Sequence, residues 1–113
     1  MSTYPRRVVI IKDGSLAQAE TKYFDFPQVA YQPSGKFVLG YKFSGSGKLS
    51  ITLQHLLPDG SYATPEDGAL VSGASTGTKI DSYAFTWGTG VRWVISEDNV
   101  NTITGLYVWL DLA

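Results

Sequence analysis

Few side chains in this chain of 113 residues could support catalysis. There is one histidine, His55, and no cysteine. This excludes a cysteine nucleophile, a thiolate metal site and a site built from paired imidazoles. His55 ends an alternating apolar row that begins at Leu49, so we interpret it as a histidine at the rim of the core rather than as a general base or a ligand. We therefore expect a protein that is not an enzyme, with no catalytic residues, no metal site and no cofactor.

Two adjacent pairs of carboxylates occur, Glu66-Asp67 and Glu97-Asp98. Paired acids can hydrolyse a glycoside, and clustered acids can bind calcium. Both pairs lie in turn sequences, where neighbouring side chains diverge, and neither fits an EF-hand pattern. We expect solvated turn residues at both places, with calcium bound in a loop as the alternative.

The sequence Gly-Ser-Gly-Lys that ends at Lys48 invites comparison with a phosphate-binding loop. That motif needs a glycine five positions before its Gly-Lys pair and a serine or threonine after it. Lys42 and Leu49 occupy those two positions. The spacing excludes the motif and leaves a glycine-rich turn.

Aromatic residues are the most informative group: three tryptophans, seven tyrosines and five phenylalanines. In the last segment, 102–112, Tyr107 and Trp109 alternate with an aliphatic row. If that row faces the core, the two aromatics face outward, and exposed aromatics in a row indicate a subunit interface or a platform for stacking sugar rings. Alternatively, the strand is central and covered on both faces. The candidate interface or ligand-stacking residues are Tyr107, Trp109, Trp87 and Tyr83.

The clearest strand pattern near these candidates is at 35–62, where apolar and polar residues alternate as in two half-buried strands. We predict an antiparallel hairpin closed by the glycine-serine turn, with its core residues being Phe37, Leu39, Tyr41, Leu49, Ile51 and Leu53. The first strand, from Arg6 to Lys12, has four consecutive β-branched residues. It is expected to be buried on both faces or to lie under a second sheet, and to end at Asp13-Gly14. Residues 15–20 could form a short helix, a loop or a strand edge.

The whole chain has about eight such strands, with turn signals every 8 to 12 residues. No helical pattern of βαβ length and no internal repeat is present. The sequence therefore predicts an all-β fold, an antiparallel β-sandwich of jelly-roll-like form. The chain is long enough for one domain over residues 1–113, with residues 1–5 expected to be flexible.

Charge and hydropathy limit the partners. The formal net charge is −1 and the two signs are interspersed, so we expect no binding to nucleic acid. The longest apolar runs are too short for a membrane span or for a secretory signal peptide. A protein of this kind that acts outside the cell would leave by lysis or by assembly into a particle.

The C-terminal two thirds of the chain follows a recurring order of strands and turns. The strand at 48–56 is followed by the Pro58-Asp59-Gly60 turn and a small polar loop, and the strand at 91–97 is followed by an asparagine-containing turn and a terminal strand. In this pattern, the segment from Gly35 to Leu112 resembles the small β-sandwich structural proteins of tailed-phage virions. The resemblance implies a structural protein that forms symmetric oligomers, is associated with a virion or other particle, and has no catalytic residues.

Our leading hypothesis from the sequence is a non-enzymatic structural or assembly module, partnered by copies of itself or by a larger protein assembly. The alternative is a carbohydrate-binding module in which exposed tyrosine and tryptophan side chains stack on a glycan.

Overall fold

The computed structural model describes residues 6–26, 36–84 and 90–112, and the regular elements within these ranges are all β-strands. They are β1 (Arg6–Leu16), β2 (Thr21–Phe26), β3 (Lys36–Ser44), β4 (Leu49–Leu56), β5 (Tyr62–Ala63), β6 (Ala69–Ala74), β7 (Gly77–Ala84), β8 (Val91–Glu97) and β9 (Ile103–Leu112). The described ranges thus contain nine strands where about eight were predicted, and β5 has only two residues. They contain no helix that could span a membrane.

The strands form two antiparallel sheets. Sheet A has the order β1-β9-β3-β7, and sheet B has the order β2-β8-β4, with β5 and β6 both paired to the second edge of β4. The chain changes sheet at every connection except those that join β4, β5 and β6. This alternation winds the chain around one core in the manner of a jelly roll, so the predicted all-β sandwich is confirmed.

The core lies between the inward rows of the two sheets. The six residues predicted to be core are all buried, and the most exposed of them, Tyr41, is 6% exposed. Trp93 on β8 is completely buried, and the ring of Phe37 on β3 meets it edge to face at 5.8 Å. Burial of each large apolar side chain is worth about 2 kcal/mol. The contacts between Phe37 and Trp93 therefore help to hold sheet A against sheet B.

The predicted hairpin of β3 and β4 is wrong, because the two strands belong to different sheets. β3 pairs with β7 and β9, whereas β4 pairs with β5, β6 and β8. Period-2 alternation shows that a strand has one buried face, but it does not show which strand lies beside it. The glycine-rich turn crosses between the sheets and packs against the β8–β9 loop, where the Gly47 amide donates to the Thr102 carbonyl at 3.1 Å.

The first strand also differs from its prediction. β1 is an edge strand of sheet A, and Val9 is 51% exposed rather than buried. The strand continues through Asp13-Gly14 to Leu16, because shifts in its register with β9 absorb the irregular residues, and Asp13 adopts a φ of 50°. The ambiguous segment 15–20 ends the strand and forms a turn, in which the Glu20 amide donates to the Ala17 carbonyl.

Candidate interaction surface

The last strand separates its two rows of side chains as the alternation requires. Leu106, Val108 and Leu110 are completely buried, whereas Tyr107 and Trp109 are partly exposed on the opposite face of sheet A. We call this face, which points away from sheet B, the outer face. Sheet A is four strands wide at this point and β9 is an inner strand of it. Among the described residues, sheet B lies on the other side of sheet A and does not cover the outer face.

A line of residues crosses the outer face at the level of Trp109. Val9 on β1 and Gly40 on β3 are the two neighbours of Trp109, and Ile80 on β7 is the next residue beyond Gly40. We call these four residues the outer rung. Val9 and Ile80 at its two ends are 51% and 60% exposed. The outer rung is therefore an apolar line across the full width of the sheet, exposed most at its ends.

Gly40 gives the outer rung its shape. A Cβ atom at this position would overlap the Cε2 and Cζ2 atoms of the Trp109 indole, so the ring lies directly against the β3 backbone. The indole N–H is shielded from solvent and has no acceptor among the described residues. Trp109 is thus held by packing over a glycine rather than by a hydrogen bond. Sequence reasoning did not identify Gly40, although a glycine inside an apolar strand is a known signal of close approach.

Charged side chains border the outer rung on one side. The Arg7 guanidinium donates two hydrogen bonds to Asp111, at 2.7 and 3.0 Å, and its Cζ lies 5.8 Å from the centre of the Trp109 ring. The hydrogen bonds from Arg7 lower the pKa of Asp111, against the opposing effect of burial, and they raise the pKa of Arg7. This pair fixes the position of the guanidinium, and because Arg7 is exposed, screening by solvent keeps its contribution to stability small.

A shallow depression of about 360 Å³ opens beside Trp109. It is lined by Arg7, Val9, Lys42, Tyr107 and Trp109. Its floor is aromatic and apolar, and its rim has two cationic side chains that can donate hydrogen bonds. The depression is large enough for a small ring-shaped ligand or for one side chain of a partner protein.

Tyr83 does not join this surface. Tyr83 lies on the inner face of sheet A, where its ring stacks on Phe37 at 5.8 Å and its hydroxyl donates to the Leu70 carbonyl at 3.1 Å. Burial raises the pKa of Tyr83, with a smaller contribution from Asp81. Trp87 lies outside the described residues. The structure thus brings together Tyr107 and Trp109 and places Tyr83 on the opposite face of the sheet.

The outer face of sheet B has an aromatic cluster that sequence reasoning did not find. The Arg92 guanidinium lies between the rings of Tyr23 and Tyr62, at 4.6 and 4.3 Å from their centres. It also donates two hydrogen bonds to the Gln54 side-chain oxygen, at 3.0 and 2.6 Å. Tyr23 remains 57% exposed. Because the guanidinium already contacts two rings and the Gln54 side chain, we interpret this cluster as a cation–π contact that links β2, β4, β5 and β8.

Glu97 differs most from its prediction, because it is only 3% exposed rather than solvated. Its carboxylate accepts hydrogen bonds from the backbone N–H groups of Ala19, Lys48, Val100 and Asn101, at 2.8 to 3.2 Å. Burial acts to raise its pKa, but these four donors outweigh burial and lower the pKa from 4.5 to about 2. The carboxylate is a structural anchor for three loops at one end of the sandwich.

His55 and the acidic side chains of the described ranges do not form a site for chemistry. His55 is half-buried near the end of β4, where it is the neighbour of Ala63 and Val91. In the described ranges, no group of three or more histidine, aspartate or glutamate side chains is placed to hold a metal ion.

Comparison with known proteins adds little to this geometry. The chain matches no protein-family model and no curated protein sequence. A solved family 16 carbohydrate-binding module aligns with 16% identity and a TM-score of 0.40, over 86% of this chain and 70% of the other. A solved structure of the infectious bursal disease virus Gt strain aligns with 16% identity and a TM-score of 0.39, over 96% of this chain and 33% of the other. At this level of similarity, neither match is informative about function.

Proposed function

We propose that this chain is a non-enzymatic assembly module, a β-sandwich that associates with copies of itself through the outer face of sheet A. The observation that supports the proposal is the outer rung. Val9 and Ile80 are half or more exposed at its ends, and the Trp109 indole lies between them against Gly40. Large side chains that are held rigidly in an apolar line lose little conformational entropy when a partner covers them.

The finer assignment is a structural protein of a phage virion or of a similar particle. It is supported by the resemblance of the strand pattern at 35–112 to that class of protein. Detection of the chain by mass spectrometry in purified particles, at a constant ratio to the major shell or tail protein, is the expected result. Its absence from washed particles would contradict the assignment.

Self-association should depend on the outer rung. We expect the wild-type protein to exceed the monomer mass in light scattering at high concentration, and we expect Val9→Lys to weaken this association by on the order of tenfold, because it places a charge in the apolar line. Val100→Lys is the matched control, since Val100 is 50% exposed but lies in the β8–β9 loop. A strictly monomeric wild-type protein that captures no partner would contradict the proposed function.

A glycan-binding function is the second candidate, and the depression beside Trp109 favours it. Its aromatic floor could stack on a sugar ring while Arg7 and Lys42 donate hydrogen bonds to hydroxyl groups. If this function is correct, a glycan in a mixed panel will change the tryptophan fluorescence in a saturable manner. Tyr107→Ala should abolish the change, and Tyr23→Ala, which alters an exposed tyrosine on sheet B, should preserve it. No response to any glycan in the panel would dismiss this candidate.

A further inference from the structure

In the described residues, β7 is one of the two edge strands of sheet A, and β1 is the other. In the described part of the chain, β7 pairs with β3 on one side and has no strand on the other. It has eight residues, Gly77–Ala84, and most of its side chains are exposed. A long edge strand of this kind presents a row of backbone N–H and C=O groups that can pair with another strand. Natural sheets often block such an edge with charged residues, so the charges on β7 decide what can pair with it.

The charges on β7 are opposite in sign and lie two residues apart. Lys79 and Asp81 are both on the inner side of the strand, and their side chains are 60% and 45% exposed. They form an ion pair at 3.2 Å within the strand. A single lysine would repel a second copy of the strand, whereas one positive and one negative charge make the edge complementary to itself.

We propose that a second copy of this chain pairs with β7 in antiparallel orientation, with the two-fold axis at Ile80. This inference rests on the proposed self-association and adds a second contact to it, because β7 lies at the edge of sheet A and the pairing leaves the outer face free for further copies. It makes one continuous eight-stranded sheet from two copies of sheet A, which has four strands.

The register follows from side-chain direction and charge. Directly opposed residues in antiparallel strands point to the same face of the sheet. A two-fold axis normal to the sheet must therefore place one residue directly opposite its own copy, and the axis lies midway between the two. An axis at residue 79 would oppose two lysines, and an axis at residue 81 would oppose two aspartates. An axis at Ile80 opposes Lys79 of each copy to Asp81 of the other and forms two cross-strand ion pairs.

The same register matches the remaining side chains of the strand. It opposes Thr78 to Ser82, which are two small hydroxyl residues on the outer face, and it opposes Ile80 to its own copy. Ile80 is 60% exposed in the single chain, and its copy would cover part of that surface. Because Ile80 is one end of the outer rung, pairing joins the two outer rungs end to end. A dimer built in this way presents one apolar line across eight strands.

Reversal of the charges tests this register. Lys79→Asp and Asp81→Lys should each weaken dimerisation by on the order of tenfold, since each opposes like charges twice. The double variant Lys79→Asp/Asp81→Lys should restore the affinity, and an equimolar mixture of the two single variants should form a heterodimer. All of these changes affect exposed side chains, and unchanged melting curves will show that the variants fold. Equal dimerisation affinities in the two single variants, the double variant and the mixture would overturn the proposal.

Cysteine cross-linking is a second test of the register, and it is feasible because the chain has no natural cysteine. Opposed residues in an antiparallel pair have Cα atoms about 4.5 to 5.5 Å apart, which suits a disulfide. Ile80→Cys should therefore form a cross-linked homodimer under mild oxidation. Thr78→Cys and Ser82→Cys should each fail to cross-link alone but should cross-link when mixed. Cross-linking of Thr78→Cys alone, with none of Ile80→Cys, would overturn the register.

The possible failures can be told apart. A wild-type protein that remains monomeric overturns both this proposal and the proposed function. Dimers that resist the charge reversals but dissociate in Val9→Lys keep the proposed function and overturn the pairing at β7. In β7, the N–H groups that do not bond to β3 point outward from the sheet. A monomer in which these outward N–H groups are protected from hydrogen exchange would assign the edge to another segment of this chain, and it would also overturn the proposal.

Discussion

Replacing Glu97 with glutamine is expected to lower the melting temperature at neutral pH by on the order of 10 °C. The carboxylate of Glu97 accepts hydrogen bonds from four backbone N–H groups in three separate loops. Glutamine is close in shape, but its amide group is a donor and would face backbone donors such as the Lys48 N–H. At least one buried N–H group would lose its acceptor, which is costly where water cannot replace it.

The pH dependence of the Glu97 variant gives a separate readout. The pKa of Glu97 is lowered from 4.5 to about 2 in the folded protein. A group with a lowered pKa contributes stability that is fully present above its unfolded pKa and is lost as the pH falls through its folded pKa. The wild-type protein should therefore lose this contribution between about pH 5 and pH 2. The gap between the wild-type and variant melting temperatures should close over the same range.

Glu66→Gln is the matched control for this experiment. Glu66 is exposed and lies in the loop between β5 and β6. Its replacement makes the same chemical change without removing an acceptor from a buried site, so the melting temperature should change little. Equal effects of the two substitutions, or a gap that stays constant down to pH 2, would show that the Glu97 carboxylate does not anchor the loops.

The role of Glu97 could not be predicted from the sequence for a physical reason. Glu97 and Asp98 follow a strand and precede Asn99, which is the usual composition of an exposed turn. The burial of Glu97 depends on Ala19 and Lys48, which are far away in the sequence and reach it only when three strand connections converge. A local pattern contains no information about such convergence.

The fold class was predictable because alternation records burial directly. Leu49, Ile51 and Leu53 are completely buried, as their spacing predicts. The pairing of strands was not predictable from the same signal. A strand shows the same alternation whether the next strand in the sequence lies beside it in the same sheet or across the core in the other sheet. The error over β3 and β4 is the result. A jelly roll places most successive strands in opposite sheets, so proximity in sequence misleads there.

Part of the candidate interaction surface was predictable from the sequence. The aliphatic row of β9 implies that Tyr107 and Trp109 face away from it, and the burial of Leu106, Val108 and Leu110 agrees with this direction. The rest of the surface required the register of sheet A. The pairing of Trp109 with Val9 and Gly40, together with the pairing of Gly40 with Ile80, shows that residues from four strands form one line. Tyr83 shows what the alternation of a single strand leaves open. The sequence around Tyr83 separates two rows of side chains, but it does not indicate which row faces the core.

Gly40→Ala should destabilise the fold by about 2 kcal/mol, which is typical of overpacking at a close contact. A Cβ atom at this position overlaps the Trp109 indole, so either the ring leaves its place or β3 and β9 move apart. The movement should also shift the tryptophan fluorescence, since the ring will become more exposed to water. Because the ring is the centre of the outer rung, self-association should weaken in the same variant. Chemical denaturation and light scattering measure the two effects.

The decisive comparison places the same substitution in a chain that lacks the indole. In a Trp109→Ala background, the added methyl group meets no ring, and alanine loses less conformational entropy than glycine on folding. Gly40→Ala should then be neutral or stabilising, by about 0.5 kcal/mol. A reversal of sign across the double-mutant cycle would assign the cost in the wild-type chain to contact with Trp109. Additive effects of the two substitutions would instead mean that the indole does not depend on Gly40, and that the outer rung tolerates a side chain at its centre.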